Sequence, residues 1–335
     1  MNESTAIAIT EQSQTGEARR ASLALATRLG FEETERGKVG LLVTEVANNL
    51  ILHAGRGVIV LRAIAQDDLL GIEVLALDQG SGMVDVEECL QDGFSTAGTA
   101  GNGLGAIRRL SDFFEIYSQP NKGTALLAHL WAKTSPHSPP KLIEIGVVAL
   151  PKRGEEVSGD AWARNGDDRR GLFLVVDGLG HGPAAASAAS AAIRVFHDHH
   201  HQSPQRIVEA AHAALRSTRG AALAIAEINF EQQTVCFAGV GNIAASISSA
   251  TEHHNLMSYN GTVGHEVRKI KEFTYPWYLN GLLMMHSDGI STQWNLDRYP
   301  GLSQKHPSLI AGVLHRDFHR ERDDVTMLVA KGTGV

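Results

Sequence analysis

The sequence predicts a two-domain protein of the α/β (α+β) class, and three of its features carry that prediction. The chain has 335 residues, which is more than a single hydrophobic core usually organises. A proline-rich stretch at residues 133–141 has the composition of an extended linker. On both sides of it, short apolar runs typical of strands alternate with longer runs typical of helices. We therefore expect one domain at residues 1–132 and a second at 142–335, each combining a sheet with helices.

Charge and composition narrow the classes of function. Hydrophobic residues make up 43% of the chain and charged residues 20%, as in ordinary globular proteins. We find no apolar run of about 18 residues and no signal-peptide pattern, so we expect a cytoplasmic protein without a membrane partner. The net charge is −7, with no basic excess in either part, which argues against a nucleic-acid partner. Two distant cysteines fit a reducing compartment, and the oligomeric state stays open, a homo-oligomer included.

The stretch from 171 to 189 has the clearest chemical pattern in the second domain. A buried strand at 172–176 runs into Asp177, and a carboxylate at the inner end of an apolar strand needs a partner. Gly178 and two further glycines let the backbone approach an ion closely, and a proline then opens an alanine-rich helix. The Asp177 carboxylate and the Gly178 carbonyl suit a divalent cation. The alternative is a tight turn in which Asp177 caps the helix.

Further acidic positions of the second domain also adjoin strands or glycines. They are Asp160 after a glycine, Asp288 after an apolar run, and the doublet Asp323–Asp324 before the last strand. If these carboxylates converge with Asp177, they match the oxygen ligands that Mg²⁺ and Mn²⁺ prefer. Two ions about 3.5–4 Å apart would then clamp a phosphate and activate a water. The doublet leaves open whether Asp323 or Asp324 is the ligand.

One helix of the first domain carries a polar set at regular spacing. Glu45, Asn49 and His53 lie four residues apart in a predicted helix at 33–53, so they share one face. Apolar residues around them supply a buried stripe. A carboxylate, an amide and an imidazole beside such a stripe indicate a rim that faces a ligand. The alternative is the polar face of an amphipathic helix.

Two glycine-containing segments follow this helix. The predicted strand at 69–77 leads into Asp78, and Gly80 and Gly82 come directly after it. A glycine-rich run then leads into a helix at 106–111, and backbone N–H groups at such a helix N-terminus suit phosphates. The positions that we assign to this phosphate-binding run are Gly98, Gly101, Gly103, Leu104 and Gly105.

The three segments of the first domain resemble, in this order, the N, G1 and G2 boxes of the GHKL ATPases. Within that family they are most similar to the bacterial anti-sigma-factor serine kinases, especially those of the RsbT type. The resemblance implies an α/β sandwich of mixed sheet and helices that binds ATP and Mg²⁺. It implies that Asp78 recognises the adenine amino group and that Asn49 holds Mg²⁺. Glu45 would be the general base that activates a protein serine, and residues 98–105 would form the phosphate lid.

The acidic motifs of the second domain resemble those of the PPM-type serine/threonine phosphatases, in particular the bacterial SpoIIE-like branch and its RsbX-type members. The resemblance implies two packed antiparallel sheets flanked by helices and a site for two Mn²⁺ or Mg²⁺ ions. For His181, a role in supporting the metal ligands or at the substrate stays open beside a packed turn position. The metal ligands that the resemblance implies are Asp160, Asp177, the Gly178 carbonyl, Asp288 and Asp323.

Together, the two resemblances imply a bacterial partner-switching protein of stress-response or sigma-factor regulation. The expected substrate of the phosphatase is a phosphoserine or phosphothreonine on a STAS-domain antagonist or scaffold protein. The first domain is expected to transfer phosphate from ATP to a serine. The alternative is a first domain that binds ATP and a protein partner without phosphate transfer and regulates the phosphatase. A degenerate scaffold is disfavoured because both sets of motif residues are present.

Overall fold

The computed structural model describes residues 4–66, 69–90, 103–133 and 142–333. The described chain divides into two compact units. The first contains the residues up to 133 and the segment Gln304–Arg316, and the second contains 142–303 and 317–333. Apart from Lys133, the predicted linker lies outside the described residues, so the predicted domain bounds stay a prediction. No helix in the described ranges is long and apolar enough to cross a membrane.

The first unit is built on a five-stranded sheet. Its elements are β1 (Ser4–Ile9), α1 (Gln12–Arg28), α2 (Glu33–Asn49), β2 (Gly57–Gln66), β3 (Leu69–Asp78), α3 (Val86–Cys89), α4 (Gly103–Leu110), β4 (Phe113–Gln119) and β5 (Gly123–Trp131). The strand order is β1-β2-β3-β5-β4. Every pairing in this sheet is antiparallel, and the sheet with its helices forms the expected α/β sandwich.

One face of this sheet packs against α1, α2 and α4. Successive residues of a strand point to opposite faces, so Ile72 and Val74 of β3 share the face that meets the helices. On α2, Leu42 and Val46 are four residues apart and pack into the same core. This packing fixes the face of α2 on which its polar residues lie.

The predicted helix at 33–53 changes character before its end. It is α-helical to Asn49 and continues as a π-helical turn, Leu50–Ala54, which ends at Gly55 with φ of 72°. A left-handed residue after a helix favours glycine because a side chain would be strained there. Single π-turns are frequent at functional sites. His53 therefore lies on this turn, exposed to solvent, and not one regular turn beyond Asn49.

The second unit is a β-sandwich flanked by helices, as the sequence predicted. Its two sheets are both five-stranded and antiparallel. The remaining elements of the chain are β6 (Ile143–Leu150), β7 (Asp160–Gly166), β8 (Arg170–Gly178), α5 (Pro183–Asp198), α6 (Pro204–Ala214), β9 (Ala221–Asn229), β10 (Thr234–Val240), β11 (Ala244–Ser248), β12 (His253–Asn255), β13 (Phe273–Pro276), β14 (Leu282–His286), α7 (Pro307–Phe318) and β15 (Val325–Gly332). The strand orders are β13-β10-β9-β8-β7 and β12-β11-β14-β15-β6.

Strand β8 is buried on both of its faces. Phe173 and Val175 pack between the two sheets, whereas Leu174 and Val176 belong to the core under α5 and α6. A strand in this position has no solvent-facing side, so its sequence is an unbroken apolar run. Asp177 follows that run at the end of the strand.

Most of α7 groups with the first unit, although its sequence lies within the predicted second domain. A Cβ on Gly312 would lie 2.9 Å from the Leu75 side chain and 3.0 Å from that of Leu77. Leu75 and Leu77 alternate along β3 with Val74, so they lie on the face opposite to α2. The helix backbone therefore rests directly on the second face of this sheet.

Candidate functional sites

Asp78 is the last residue of β3, and its two carboxylate oxygens differ in their hydrogen bonds. Its Oδ1 accepts hydrogen bonds from the N–H groups of Gly80 at 2.8 Å and Thr124 at 3.1 Å. Among the described residues, Oδ2 has no hydrogen-bond partner. Burial raises the pKa of Asp78, and the two N–H donors oppose that rise. The strand end thus offers a fixed acceptor for a donor group such as an amino group.

Helix α2 places Glu45 and Asn49 on one face, a single turn apart. The Glu45 carboxylate is half-buried and has no ion pair or hydrogen bond to any described residue. The Nδ2 of Asn49 is buried and lacks an acceptor in the same part of the chain. Buried polar groups are normally satisfied, so an orphaned amide is a group that a bound ligand would satisfy.

The glycine positions after β3 bring its end close to the end of α2. A Cβ on Gly80 would lie 2.8 Å from the Cβ of Ala54, the last residue of the π-turn. Gly82 has φ of +65°, and a side chain there would run into the backbone carbonyl of Gln119. The two predicted segments around Asn49 and after β3 therefore meet.

The phosphate-binding run is described in part. Gly98 and Gly101 lie outside the described residues. Gly103, which begins α4, lies against Asn49, because a Cβ there would come within 2.9 Å of the Asn49 Oδ1. Leu104 packs against the core and Gly105 is buried, which holds the N-terminus of α4 beside α2. The unpaired N–H groups of a helix N-terminus favour anions.

In the second unit, Asp160 and Asp177 lie opposite each other on two adjacent strands. Asp160 begins β7, Asp177 stands one residue before the end of β8, and the two are paired in the ladder. The N–H of Gly178 donates to the carbonyl of Gly159 at 3.0 Å. A side chain on Gly178 would run into the backbone of Ala185, so α5 begins directly against this strand end.

The carboxylates of this unit form one electrostatic cluster. Burial, together with the charges of Asp288, Asp323 and Asp324, raises the pKa of Asp177 to about 7. Burial and the charge of Asp177 raise the pKa of Asp160 well above its ordinary value. Like charges in a buried site disfavour ionisation, so such a cluster favours a positively charged partner.

Asp288 is positioned by a neighbour that sequence reasoning left without a role. The Nδ2 of Asn242 donates to Asp288 Oδ2 at 2.7 Å. Burial and the charge of Asp323 raise the pKa of Asp288, while Arg320 and Asn242 oppose the rise. Asn242 directly follows Gly241, and no spacing pattern in the sequence links it to Asp288.

The two members of the acidic doublet have different environments. Asp324 is 2% exposed, and its two oxygens accept from the N–H groups of Lys152 and Gly159, each at 2.8 Å. Asp323 is exposed, and its Oδ1 accepts from the N–H of Asp324 at 3.0 Å. The carboxylate of Asp324 is therefore engaged by backbone, whereas that of Asp323 keeps an oxygen that makes no hydrogen bond in the described ranges.

A different set of side chains is the tightest candidate by distance alone. Glu73, His129 and His306 of the first unit have ligand atoms that all lie within 4.8 Å of one another. However, Glu73 Oε1 is bound by Arg62 at 2.8 Å, and Ser308 Oγ donates to Oε2 at 2.6 Å. Guanidinium and hydroxyl donors take the lone pairs that a cation would need, so this is a buried hydrogen-bonded ion-pair network.

None of the predicted aspartate ligands belongs to so tight a group of three in the described residues. A site for two ions does not require one, because the ions stand about 3.5–4 Å apart and their outer ligands lie farther from each other. All the donors there are oxygens, which is the set that Mg²⁺ and Mn²⁺ prefer. The residues present therefore fit divalent cations.

His181 is not a packed turn residue. Its side chain is 51% exposed, and its Nδ1 lies 2.7 Å from Oε1 of Glu155. Glu155 in turn lies against Gly182, where a Cβ would come within 3.2 Å of its Oε2. Of the interpretations that the sequence left open, the structure excludes packing, and a role in supporting the metal ligands or at the substrate stays untested.

Comparison with known proteins assigns a family to each part. The family described as "Histidine kinase-like ATPase domain" matches residues 9–129, and "Stage II sporulation protein E (SpoIIE)" matches 167–332. The serine/threonine-protein kinase RsbT of Bacillus subtilis is 32% identical over 133 residues, which cover 40% of this chain and 100% of RsbT. The phosphoserine phosphatase RsbX of the same organism is 27% identical over 150 residues, which cover 44% of this chain and 75% of RsbX.

Two solved structures support the fold of the second unit. A chain from work on the bacterial stressosome has 28% sequence identity and a TM-score of 0.53, covering 56% of this chain and 98% of its own. RsbX in complex with magnesium has 23% identity and a TM-score of 0.53, covering 58% and 98%, and supports the fold alone. The match to RsbT over its whole length makes this chain a member of the RsbT and anti-sigma-factor family of histidine kinase-like ATPases, joined to a PPM phosphatase domain of the SpoIIE type: a partner-switching regulator.

Proposed function

We propose that the second unit hydrolyses phosphoserine or phosphothreonine on a STAS-domain antagonist or scaffold protein. Two Mn²⁺ or Mg²⁺ ions would be held by Asp160, Asp177, the Gly178 carbonyl, Asp288 and Asp323. The observation that carries the proposal is the pairing of Asp160 with Asp177 across β7 and β8, at a place where the charges of Asp288, Asp323 and Asp324 also act on Asp177. Bound ions supply charge neutralisation for the phosphate and an activated water.

Asp323 is our choice within the doublet. Both oxygens of Asp324 accept backbone N–H groups, so this side chain ties the segments at Lys152 and Gly159 to the strand that follows it. Asp323 is exposed and precedes the same strand, and its charge contributes to the raised pKa values of Asp177 and Asp288.

For the first unit, we propose ATP-dependent serine phosphorylation of the same partner. The Oδ2 of Asp78, which accepts no hydrogen bond from a described residue, suits the adenine amino group. The Nδ2 of Asn49, buried without an acceptor among the described residues, suits a phosphate oxygen, and the Oδ1 of the same amide would hold Mg²⁺. The half-buried carboxylate of Glu45 has no competing partner in the described chain, which suits a general base for the serine hydroxyl. Phosphoryl transfer needs mainly positioning and charge neutralisation beyond that base.

The test is to incubate the full chain with candidate STAS-domain proteins, with ATP and Mg²⁺ in one arm and with Mn²⁺ and the phosphorylated partner in the other. Mass spectrometry then locates each serine that gains or loses phosphate. A partner that gains phosphate with ATP and loses it with Mn²⁺ supports both activities. No change on any partner, with ATP and Mn²⁺ binding verified by calorimetry, would refute them.

One observation favours the second candidate function, a first unit that binds ATP and regulates. The Nη1 of Arg316 donates to the backbone carbonyl of Asp78 at 3.1 Å, and Gln79 Nε2 donates to the carbonyl of Arg316 at 3.4 Å. The proposed adenine residue therefore touches the helix segment whose chain continues to Asp323. A wild type that phosphorylates no serine, while ATP alters its phosphatase rate and Asp78→Asn removes that effect, would favour this role.

A further inference from the structure

No positively charged side chain has so far been assigned to the candidate phosphatase site. Its predicted ligands are all acidic or neutral oxygen donors, whereas a phosphate monoester is a dianion near pH 7. Metal ions offset part of the repulsion between such a substrate and the carboxylates. An arginine beside the metal ligands would add planar N–H donors that match phosphate oxygens in pairs.

The backbone holds Arg320 between two proposed metal ligands. Its N–H donates to the carbonyl of Gly289 at 2.7 Å, next to Asp288 in the chain. Its own carbonyl accepts the N–H of Asp323 at 3.3 Å, which closes a turn from Arg320 to Asp323. His319, which directly precedes Arg320, forms an isolated β-bridge with Ile290. Arg320 is thus fixed by both motifs that supply Asp288 and Asp323.

The side chain of Arg320 acts on this site and is available there. Its charge lowers the pKa of Asp288 against the effects of burial and of Asp323, and it also lowers the pKa of His286. The residue is exposed, and it forms no ion pair of 4.0 Å or less with any described carboxylate. Arg170 of the same unit, in contrast, pairs with Glu227 at 2.6 Å.

We propose that Arg320 binds the phosphoryl group of the substrate beside Asp288 and Asp323; this rests on the proposed phosphatase function. In the reaction, a water oxygen attacks phosphorus and the bond from phosphorus to the serine oxygen breaks. The proton that the water loses ends on the serine oxygen, so the products are serine and inorganic phosphate. The guanidinium donates to non-bridging oxygens, which carry the charge before and during the transfer.

The test compares four full-length variants with the wild type at saturating Mn²⁺. Arg320→Gln should lower kcat/KM for p-nitrophenyl phosphate by about 10²-fold, the loss typical of one transition-state donor. It should also weaken the calorimetric affinity for inorganic phosphate by about tenfold, since a charge-assisted pair is lost. The kcat/KM of Arg320→Lys should lie between those of the wild type and Arg320→Gln, because lysine keeps the positive charge but lacks the paired N–H donors of the guanidinium. Arg322→Gln is the matched control, an exposed arginine in the same turn, and should behave as wild type.

Three outcomes would overturn the inference. Wild-type activity of Arg320→Gln at saturating Mn²⁺, with a loss at limiting Mn²⁺ alone, would mean that the arginine acts only through the metal affinity of Asp288. An equal loss in Arg322→Gln would mean a nonspecific charge effect. Loss in Arg219→Gln with none in Arg320→Gln would assign the phosphate to the arginine beside Gly180. If the wild type with Mn²⁺ neither hydrolyses the ester nor binds phosphate, the proposed phosphatase function itself fails, and the inference with it.

Discussion

Asparagine substitutions in the Asp323–Asp324 doublet should separate folding from metal binding. The buried Asp324 accepts two backbone N–H groups, whereas within the described ranges the exposed Asp323 accepts only the N–H of its neighbour. We expect Asp324→Asn to lower the free energy of unfolding. We expect Asp323→Asn to leave folding intact and to weaken Mn²⁺ binding.

The structure sets the size of each effect. Asn in place of Asp324 keeps one accepting oxygen and turns an NH₂ group toward the second N–H. A hydrogen bond to a charged group contributes about 1.5–3 kcal/mol, and an orphaned buried donor costs about 1–3 kcal/mol. Relief of repulsion with Asp177 offsets part of this, so we expect a loss of about 2–5 kcal/mol in unfolding free energy. For the exposed Asp323, the change should stay within about 0.5 kcal/mol.

The assay is urea denaturation of the metal-free chain, followed by Mn²⁺ titration calorimetry on the same preparations. Trp162 lies buried in β7, two residues from Asp160, and its fluorescence reports on the unit. Loss of a residue that only supports a metal ligand lowers metal affinity by about 10–100-fold. We expect Asp323→Asn, which removes a ligand, to lower the Mn²⁺ affinity by at least that much. Glu321→Gln, an exposed neighbour, is the control. Wild-type metal affinity in Asp323→Asn, with lost affinity and unchanged stability in Asp324→Asn, would refute the reasoning.

Three further predictions concern the other groups. Asp177→Asn should abolish Mn²⁺-dependent hydrolysis of p-nitrophenyl phosphate. Burial and neighbouring carboxylates raise the pKa of Asp177 to about 7 in the folded state, from about 3.9 in the unfolded state. The metal-free wild type should therefore lose stability as the pH rises between these two values, and Asp177→Asn should lose less. Thermal melts at stepped pH measure this difference. Asp78→Asn should weaken ATP binding in calorimetry, whereas Glu45→Ala should bind ATP and transfer no phosphate; a wild type that binds no ATP would contradict both. Glu73→Gln should lower the free energy of unfolding by about 3–5 kcal/mol in chemical denaturation because it removes the carboxylate charge beside the buried Arg62 guanidinium, while Glu35→Gln in a largely exposed pair should cost under about 1 kcal/mol.

The parts of the sites that were predictable are those encoded locally. β8 is buried on both faces, so its apolar run and the acid at its end stand out in the sequence. Glu45 and Asn49 are one turn apart, and helical periodicity alone puts them on one face. The register that sets Asp160 opposite Asp177 is not local, and only the family resemblance brought those two residues together.

The parts that were missed depend on contacts between distant positions. The Ser308 hydroxyl reaches Glu73 across 235 residues of sequence, and neither residue belongs to a recognisable pattern. Glu73 reads as an ordinary polar position in a strand until Arg62 and His129 surround it. Burial raises the pKa of Glu73, but the charge of Arg62 and the hydrogen bonds with His129 and Ser308 outweigh it and hold that pKa well below its usual range.

The grouping of Gln304–Arg316 with the first unit changes how coupling to ATP must be tested. A fragment that ends before this segment would expose Leu75 and Leu77, where Gly312 now lies, and would remove the Ser308 donor from buried Glu73. Its ATP affinity would then reflect a damaged sheet as much as the nucleotide site. A fragment of the phosphatase sequence alone would carry the same segment without its sheet. The prediction that ATP alters the phosphatase rate is therefore best tested in the full chain, with Asp78→Asn as the variant that should not bind ATP. An ATP effect of equal size in that variant and in the wild type would show that nucleotide at Asp78 is not its source.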